Sequence, residues 1–197
     1  MLNEDLRHIH IILASQSPRR KELLSGIGIQ FDTLVIKGID ESIPENMPHA
    51  EAAEYLALKK ADAYTGFLDE KTIIITADTI VCTEDAILNK PADFDDARRM
   101  LNALSGKQHE VITGVCISTQ GRRTSFSAST KVRFAELSSE EIDFYISTYK
   151  PYDKAGAYGI QEWIGYIGIE SIEGSYFNVV GLPVQKLYAE LKKFMGE

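Results

Sequence analysis

No run of about 18 apolar residues occurs anywhere in this chain, so it holds no candidate for a membrane-spanning helix. Its first residues, with Asn3, Glu4 and Asp5, lack the basic-then-apolar order of a signal peptide, and the expected location is the cytoplasm. Cysteine is scarce. Cys82 and Cys116 lie in apolar, strand-like runs without a CxxC pair, so they read as reduced core residues rather than a disulfide or a metal site. None of the four histidines has metal-ligand spacing; His8 and His10 flank the first predicted strand, while His49 and His109 read as peripheral. Positive charge is also short, with 21 Lys and Arg against 29 Asp and Glu for a net charge of −8. Without a basic tail or stripe, stable binding to a nucleic-acid backbone is not expected. A single nucleotide is not excluded, because it needs only a local basic cluster and a metal ion. Neither GxxxxGK[ST] nor GxGxxG is present, which removes the P-loop and Rossmann routes to such a ligand. Repeats, low-complexity stretches and linkers are absent too. A chain of 197 residues that is 44% hydrophobic can bury one core, as one domain or as one domain with two lobes.

What is present begins with a strand, Ile9 to Leu13, running into Ala14-Ser15-Gln16-Ser17-Pro18-Arg19-Arg20-Lys21. Ser17 is a good N-cap, and Pro18 suits the first helical position because it has no N–H to leave unpaired. The first turn then carries Arg19, Arg20 and Lys21 at the positive end of the helix dipole, each unfavourable by roughly 0.3–1 kcal/mol. Either this is a solvated basic turn, or an anion sits there. Free N–H groups, the hydroxyls of Ser15 and Ser17 and two guanidinium forks would suit a phosphate.

Further along, Phe31 to Ile36 reads as a strand, followed by the acidic loop containing Asp40 and Glu41. A helix is predicted from about His49 to Thr65. Thr72 to Cys82 is β-branched and nearly continuous, the pattern of a central strand covered on both faces. Ile87 to Lys90 reads as a brief strand, and Asp93 caps a helix reaching Leu104. Val111 to Thr119 and Ser125 to Phe134 form a predicted hairpin around Gln120-Gly121-Arg122-Arg123. Ser138 to Tyr149 is helical. Six of the fourteen glycines fall between Gly156 and Gly181, a region of loops and short strands, and a helix from Pro183 to Met195 closes the chain.

Two charges sit where a plain core would not put them. At helical spacing Ala53, Leu56, Ala57 and Tyr64 form one face of the second helix, and Lys60 falls in its middle. Such a lysine either snorkels to the edge or points into a cleft with a partner. Asp78 sits inside the most apolar run of the chain, where a carboxylate is costly unless paired, hydrogen-bonded or bound to a metal. Pairing with a lysine would be the structural explanation. Glu41 and Lys90 are ordinary taken alone. Taken together, cations at Arg19, Arg20, Lys60 and Lys90 would suit a polyphosphate, while Glu41 and Asp78 would suit a hard, oxygen-liking cation such as Mg²⁺. One of these carboxylates could also accept a proton from an attacking water.

With these residues assembled, the chain resembles the Maf family. The resemblance is carried by Leu13 to Arg20, Ala77-Asp78-Thr79-Ile80-Val81, Asn89-Lys90-Pro91, Leu104 to His109, Asp153 to Gln161, Gly174-Ser175-Tyr176 and Gly181-Leu182-Pro183. It runs in order from about Ile11 to Leu191. It implies a nucleoside triphosphate pyrophosphatase that cleaves between the α and β phosphates. The implied fold is α/β, an elongated one similar to the inosine triphosphate pyrophosphatases. It would be a single domain over 1–197, with a twisted mixed sheet and two lobes around a central cleft. A homodimer is expected, with a divalent metal, Mg²⁺ or alternatively Mn²⁺ or Co²⁺. By match, Asp78 corresponds to the proton acceptor. Ser15, Arg20, Glu41, Lys60 and Lys90 match the polar set lining the cleft, and Arg19, Thr79 and Gln161 match positions tied to substrate choice.

Pro18-Arg19-Arg20 and the loop ending in Gln161 look like the dTTP/UTP subgroup. The 7-methyl-GTP subgroup tends instead to an aromatic residue at the place of Arg19. Gln16 replaces the small residue expected there and affects only packing. The alternatives are a 7-methyl-GTP or broad-specificity enzyme, and a cell-division regulator that binds nucleotide without turnover. The carboxylates favour the enzyme, because a binder has little use for Asp78 near phosphate unless a metal lies between them.

Overall fold

The computed structural model describes residues 2–196. Seven strands form one mixed sheet: β1 (His10–Leu13), β2 (Asp32–Thr33), β3 (Thr72–Cys82), β4 (Ile87–Leu88), β5 (Gln108–Thr119), β6 (Arg122–Phe134) and β7 (Ile169–Glu173). Their order is β2-β1-β3-β5-β6-β7, with β4 paired to β3. β1 is parallel to β2 and β3, whereas β4 on β3 and β7 on β6 are antiparallel. The helices are α1 (Leu2–Asp5), α2 (Pro18–Gly26), α3 (His49–Asp62), α4 (Phe94–Leu104), α5 (Ser139–Tyr149), α6 (Trp163–Gly168), α7 (Tyr176–Val180) and α8 (Val184–Gly196). None of the described helices is long and apolar enough to cross a membrane.

The chain divides into two compact units. One comprises the residues up to Asp78, Thr113–Ala128 and those from Gly181 onward; the other comprises Thr79–Ile112 and Ser129–Val180. β3, β5 and β6 contribute residues to both.

In the first unit, β1 and β3 pair from His10 with Thr72 to Leu13 with Ile75. Alternation then sends Ile11, Leu13, Ile73 and Ile75 to a core completed by Leu24, Val115, Ile117, Leu187 and Leu191. Ile12 and Ile74 face the other way, onto Tyr64. The continuous apolar run of β3 is therefore covered on both faces, as its sequence predicts. α3 lies close to the sheet because small residues let it. A Cβ added at Gly114 would stand 2.2 Å from the Ala53 carbonyl oxygen, and Thr76 Oγ1 donates to the Ala57 carbonyl at 2.7 Å.

The predicted strand from Phe31 to Ile36 shrinks to Asp32–Thr33. The rest of that segment is satisfied by a side chain instead of a ladder: the Tyr64 hydroxyl accepts the Ile36 N–H at 2.9 Å and donates to the Leu34 carbonyl at 3.2 Å. The hairpin strands are longer than predicted, leaving only Gln120 and Gly121 between them. Arg122 and Arg123 belong to β6, where Arg122 Nη1 donates to the Phe194 carbonyl at 2.8 Å and Arg123 Nη1 pairs with Asp62 at 2.6 Å.

In the second unit, α4 is capped by Asp93, which accepts the Asp96 N–H at 2.9 Å. A reciprocal Ser138–Glu141 box caps α5. The two helices pack on each other, burying Leu101, Leu104, Ile142 and Ile146. His109 is not peripheral. It is 4% exposed, on the same side of β5 as Val111, and its Nε2 lies 2.8 Å from the Tyr158 hydroxyl. It also meets the Phe134 and Tyr158 rings edge-on. Burial pushes its pKa down to about 4, so it is held neutral.

Candidate active site

Beyond the carboxyl end of β1 the chain turns into α2, the place where open α/β sheets present ligand sites. Ser15 is buried, and its Oγ accepts the Ser17 N–H at 3.2 Å. Ser17 caps α2 as expected, its Oγ accepting the Arg20 N–H at 3.4 Å, with Pro18 in the first helical position. Both hydroxyl oxygens are thus occupied as local acceptors, and each keeps its O–H as a donor. Arg19 is partly buried in the same turn.

Arg20 is committed more deeply than a phosphate-binding arginine needs to be. Its Nε donates to the Gly181 carbonyl at 2.8 Å and its Nη1 to the Ala77 carbonyl at 2.7 Å. It therefore ties the start of α2 to β3 and to the Gly181 segment. Burial pulls the guanidinium below its ordinary value; the Asp78 carboxylate opposes that shift, Arg19 adds to it and Glu41 opposes it. It remains a cation, as arginine does in proteins.

Lys60 and Asp78 meet. Lys60 Nζ donates to Asp78 Oδ1 in a short contact and reaches Glu41 Oε1 at 2.8 Å. Both the Lys60 and Asp78 side chains are 15% exposed, while Glu41 is 49% exposed. Lys60 does not snorkel; it points inward to partners. The structural explanation for Asp78, a carboxylate neutralised by a lysine, is accordingly the arrangement observed. Asp78 and Thr79 are the only two positions of β3 that are not fully buried, so the strand opens at this carboxylate.

Among the described residues, no three His, Cys, Asp or Glu side chains gather as a cation cage. Glu41 and Asp78 nevertheless bring two hard oxygen donors to one positive charge. That set suits a divalent ion which takes one or two carboxylates and draws its other ligands from phosphate and water.

Thr79, Lys90 and Gln161 belong to the second unit. Lys90 and Gln161 are exposed, and Thr79 is partly buried. Their segments are tied together within that unit. Gly156 donates its N–H to the Asn89 carbonyl at 3.2 Å, and it has a positive φ of 68°, with the Val81 side chain 2.9 Å from where a Cβ would be. Only glycine fits both demands.

The loop also holds a partly buried polar cluster that its sequence pattern does not reveal. Lys154 is buried, with Nζ 2.8 Å from Asp153 Oδ1 and 2.9 Å from Glu162 Oε1. Tyr145 donates its hydroxyl to Glu162 Oε2 and accepts the Gly159 N–H at 3.0 Å. Burial, then the bond to Glu162, holds the Tyr145 hydroxyl protonated. The available signal was Tyr145 itself, which shares the apolar face of α5 with Ile142 and Ile146, where a buried hydroxyl requires a partner.

The sequence pattern of Maf-like proteins matches residues 10–194. A protein of Phocaeicola vulgatus named dTTP/UTP pyrophosphatase is 58% identical over 190 residues, covering 96% of this chain and 98% of its own length. One of the same name from Parabacteroides distasonis is 54% identical, covering 97% and 99%. Among solved structures, the Ham1 protein of Staphylococcus aureus aligns with a TM-score of 0.49 and 16% identity, over 93% of this chain and 98% of that one.

Proposed function

The chain belongs to the Maf-like protein family, and on that premise we propose that it hydrolyses dTTP and UTP to the monophosphate and pyrophosphate. Near full-length identity to relatives bearing that name supports the substrate class. The observation that carries the chemistry is the Asp78 carboxylate at the opening of β3, held with Lys60 and Glu41 beyond the end of β1.

Asp78 accepts a proton from the attacking water as its oxygen forms a bond to the α phosphorus. The α–β bridging oxygen takes the electrons of the bond that breaks and leaves with pyrophosphate. Lys60 donates to a phosphate oxygen when the triphosphate enters, exchanging one anionic partner for another. Arg20 holds the start of α2, so that the Ser15 and Ser17 hydroxyls meet phosphate. Lys90 adds a further cation by its match to the family motif. Mg²⁺, or Mn²⁺ or Co²⁺, would be held by Glu41 and Asp78 and would neutralise charge on the phosphates.

Arg19, Thr79 and Gln161 select the base. An amide such as that of Gln161 offers a donor and an acceptor to the O4 and N3–H edge of uracil or thymine, and Arg19, a donor only, fixes the polarity against cytosine. The methyl group separating dTTP from UTP contributes only about 1 kcal/mol, so both are substrates. We place the activity in the cytoplasm, and in a homodimer as the family resemblance suggests. Incubation of the purified protein with Mg²⁺ and a panel of nucleoside triphosphates tests the reading. dTTP and UTP should yield monophosphate and pyrophosphate well ahead of CTP, ATP and GTP. Release of orthophosphate, equal cleavage of CTP and UTP, or preference for 7-methyl-GTP would overturn it.

A further inference from the structure

Gln161 occupies the third position of a four-residue turn, Gly159 to Glu162, closed by the Glu162 N–H donating to the Gly159 carbonyl at 3.0 Å. Its own side chain is exposed, while both neighbours are held: Ile160 is buried, and Glu162 is anchored through its carboxylate. The Tyr145 hydroxyl touches both ends of this turn. It accepts the N–H of Gly159, the first residue, and donates to the carboxylate of Glu162, the last. Lys154 grips the other oxygen of the same carboxylate at 2.9 Å. The packing is tight enough that a Cβ at Gly159 would lie 3.0 Å from both Glu162 Cδ and Lys154 Cε.

A buried lysine and tyrosine held on a partly buried glutamate are a poor choice for stability alone. Apolar side chains of similar volume would fill the space without desolvating charge. What such a network supplies is direction, because each hydrogen bond fixes an orientation that apolar contacts leave free. Here the element so fixed is the turn that presents the Gln161 amide. The two Tyr145 contacts fall on either side of Gln161, at Gly159 and Glu162, which is the pattern of a support rather than a contact residue.

We propose that Tyr145, Glu162 and Lys154 are positioning residues for Gln161, holding the turn 159–162 so that the amide meets the base in one orientation and pyrimidine selectivity follows. This rests on the assignment of Gln161 to the base. The Tyr145 hydroxyl is the member to remove, because Tyr145→Phe keeps the buried ring, stacked on Tyr149, and deletes both turn contacts.

The experiment uses the full chain and measures kcat and KM for UTP and CTP in wild type, Gln161→Ala, Tyr145→Phe and the double variant. Gln161→Ala should lower the UTP-to-CTP ratio of kcat/KM by about tenfold or more. Tyr145→Phe should lower it comparably, with the change falling on KM for UTP more than on kcat. In the Gln161→Ala background, Tyr145→Phe should move the ratio by less than about twofold, since the route through the amide is already gone. A ratio lost in Gln161→Ala but kept in Tyr145→Phe overturns the positioning role alone. The same loss in both backgrounds overturns it too, leaving Tyr145 merely structural. A ratio kept in Gln161→Ala removes the premise and the proposal with it. Should Tyr145→Phe fail to fold, Glu162→Gln, which keeps the size of the anchor and removes its charge, is judged by the same three outcomes.

Discussion

Glu41 Oε1 stands 2.8 Å from Lys60 Nζ, and the same ammonium donates to Asp78, so one helix cation joins an exposed loop carboxylate to one set in a strand. The position of that cation follows from backbone packing. Gly114 admits the Ala53 carbonyl, Thr76 bonds the Ala57 carbonyl, and α3 is thereby seated low enough for Lys60 to reach β3. Four expectations can be drawn from this arrangement and from the second unit.

Asp78→Asn keeps the shape of the side chain and removes the proton acceptor. Turnover of UTP should fall by about 10²–10⁴-fold, with nucleotide binding largely kept. Steady-state kinetics and equilibrium binding, with metal affinity measured alongside, check this. Turnover within a few-fold of wild type would remove Asp78 from its role.

Lys60→Met leaves the 15%-exposed Asp78 carboxylate without its partner. Loss of that pairing should destabilise the fold by about 1–3 kcal/mol, less than for a fully dry pair. kcat/KM should drop about tenfold or more. Chemical denaturation and kinetics on one preparation separate the two effects.

Gly114→Ala places a methyl group 2.2 Å from the Ala53 carbonyl oxygen, which is backbone and has no easy way to yield. The helix must lift, at a cost of about 1–3 kcal/mol or more. Activity should fall with it, because Lys60 rides on the same helix. A variant with wild-type melting temperature would show that α3 is not seated by this contact.

His109 has its folded-state pKa depressed to about 4 by burial, against about 6.5 for an ordinary histidine. The unfolded chain therefore binds the proton first. The contribution is fully present above pH of about 6.5 and is lost as pH falls toward 4, amounting to about 3 kcal/mol. Unfolding free energy followed between about pH 6.5 and 5, before most carboxylates titrate, should decline in the wild type and decline less in His109→Phe. Equal slopes for the two proteins would contradict this.

Much of this protein is written locally. Continuous β-branched residues determine β3 to the residue, and Asp93 and Ser138 determine the starts of α4 and α5, because a cap needs only neighbours in sequence. Helical periodicity singled out Lys60, and apolar context singled out Asp78, for the same local reason. Tertiary structure alone decided where these groups went. No spacing says that Lys60 and Asp78 face each other, that Arg20 bonds the Ala77 and Gly181 carbonyls, or that His109 is core. Tyr64 ended a predicted strand by offering its hydroxyl to two backbone groups, and Tyr145 offers its hydroxyl to one backbone N–H and one carboxylate of the turn carrying Gln161. A side-chain hydroxyl satisfies whichever buried donor or acceptor the fold brings within about 3 Å, and that proximity is a property of packing between distant segments.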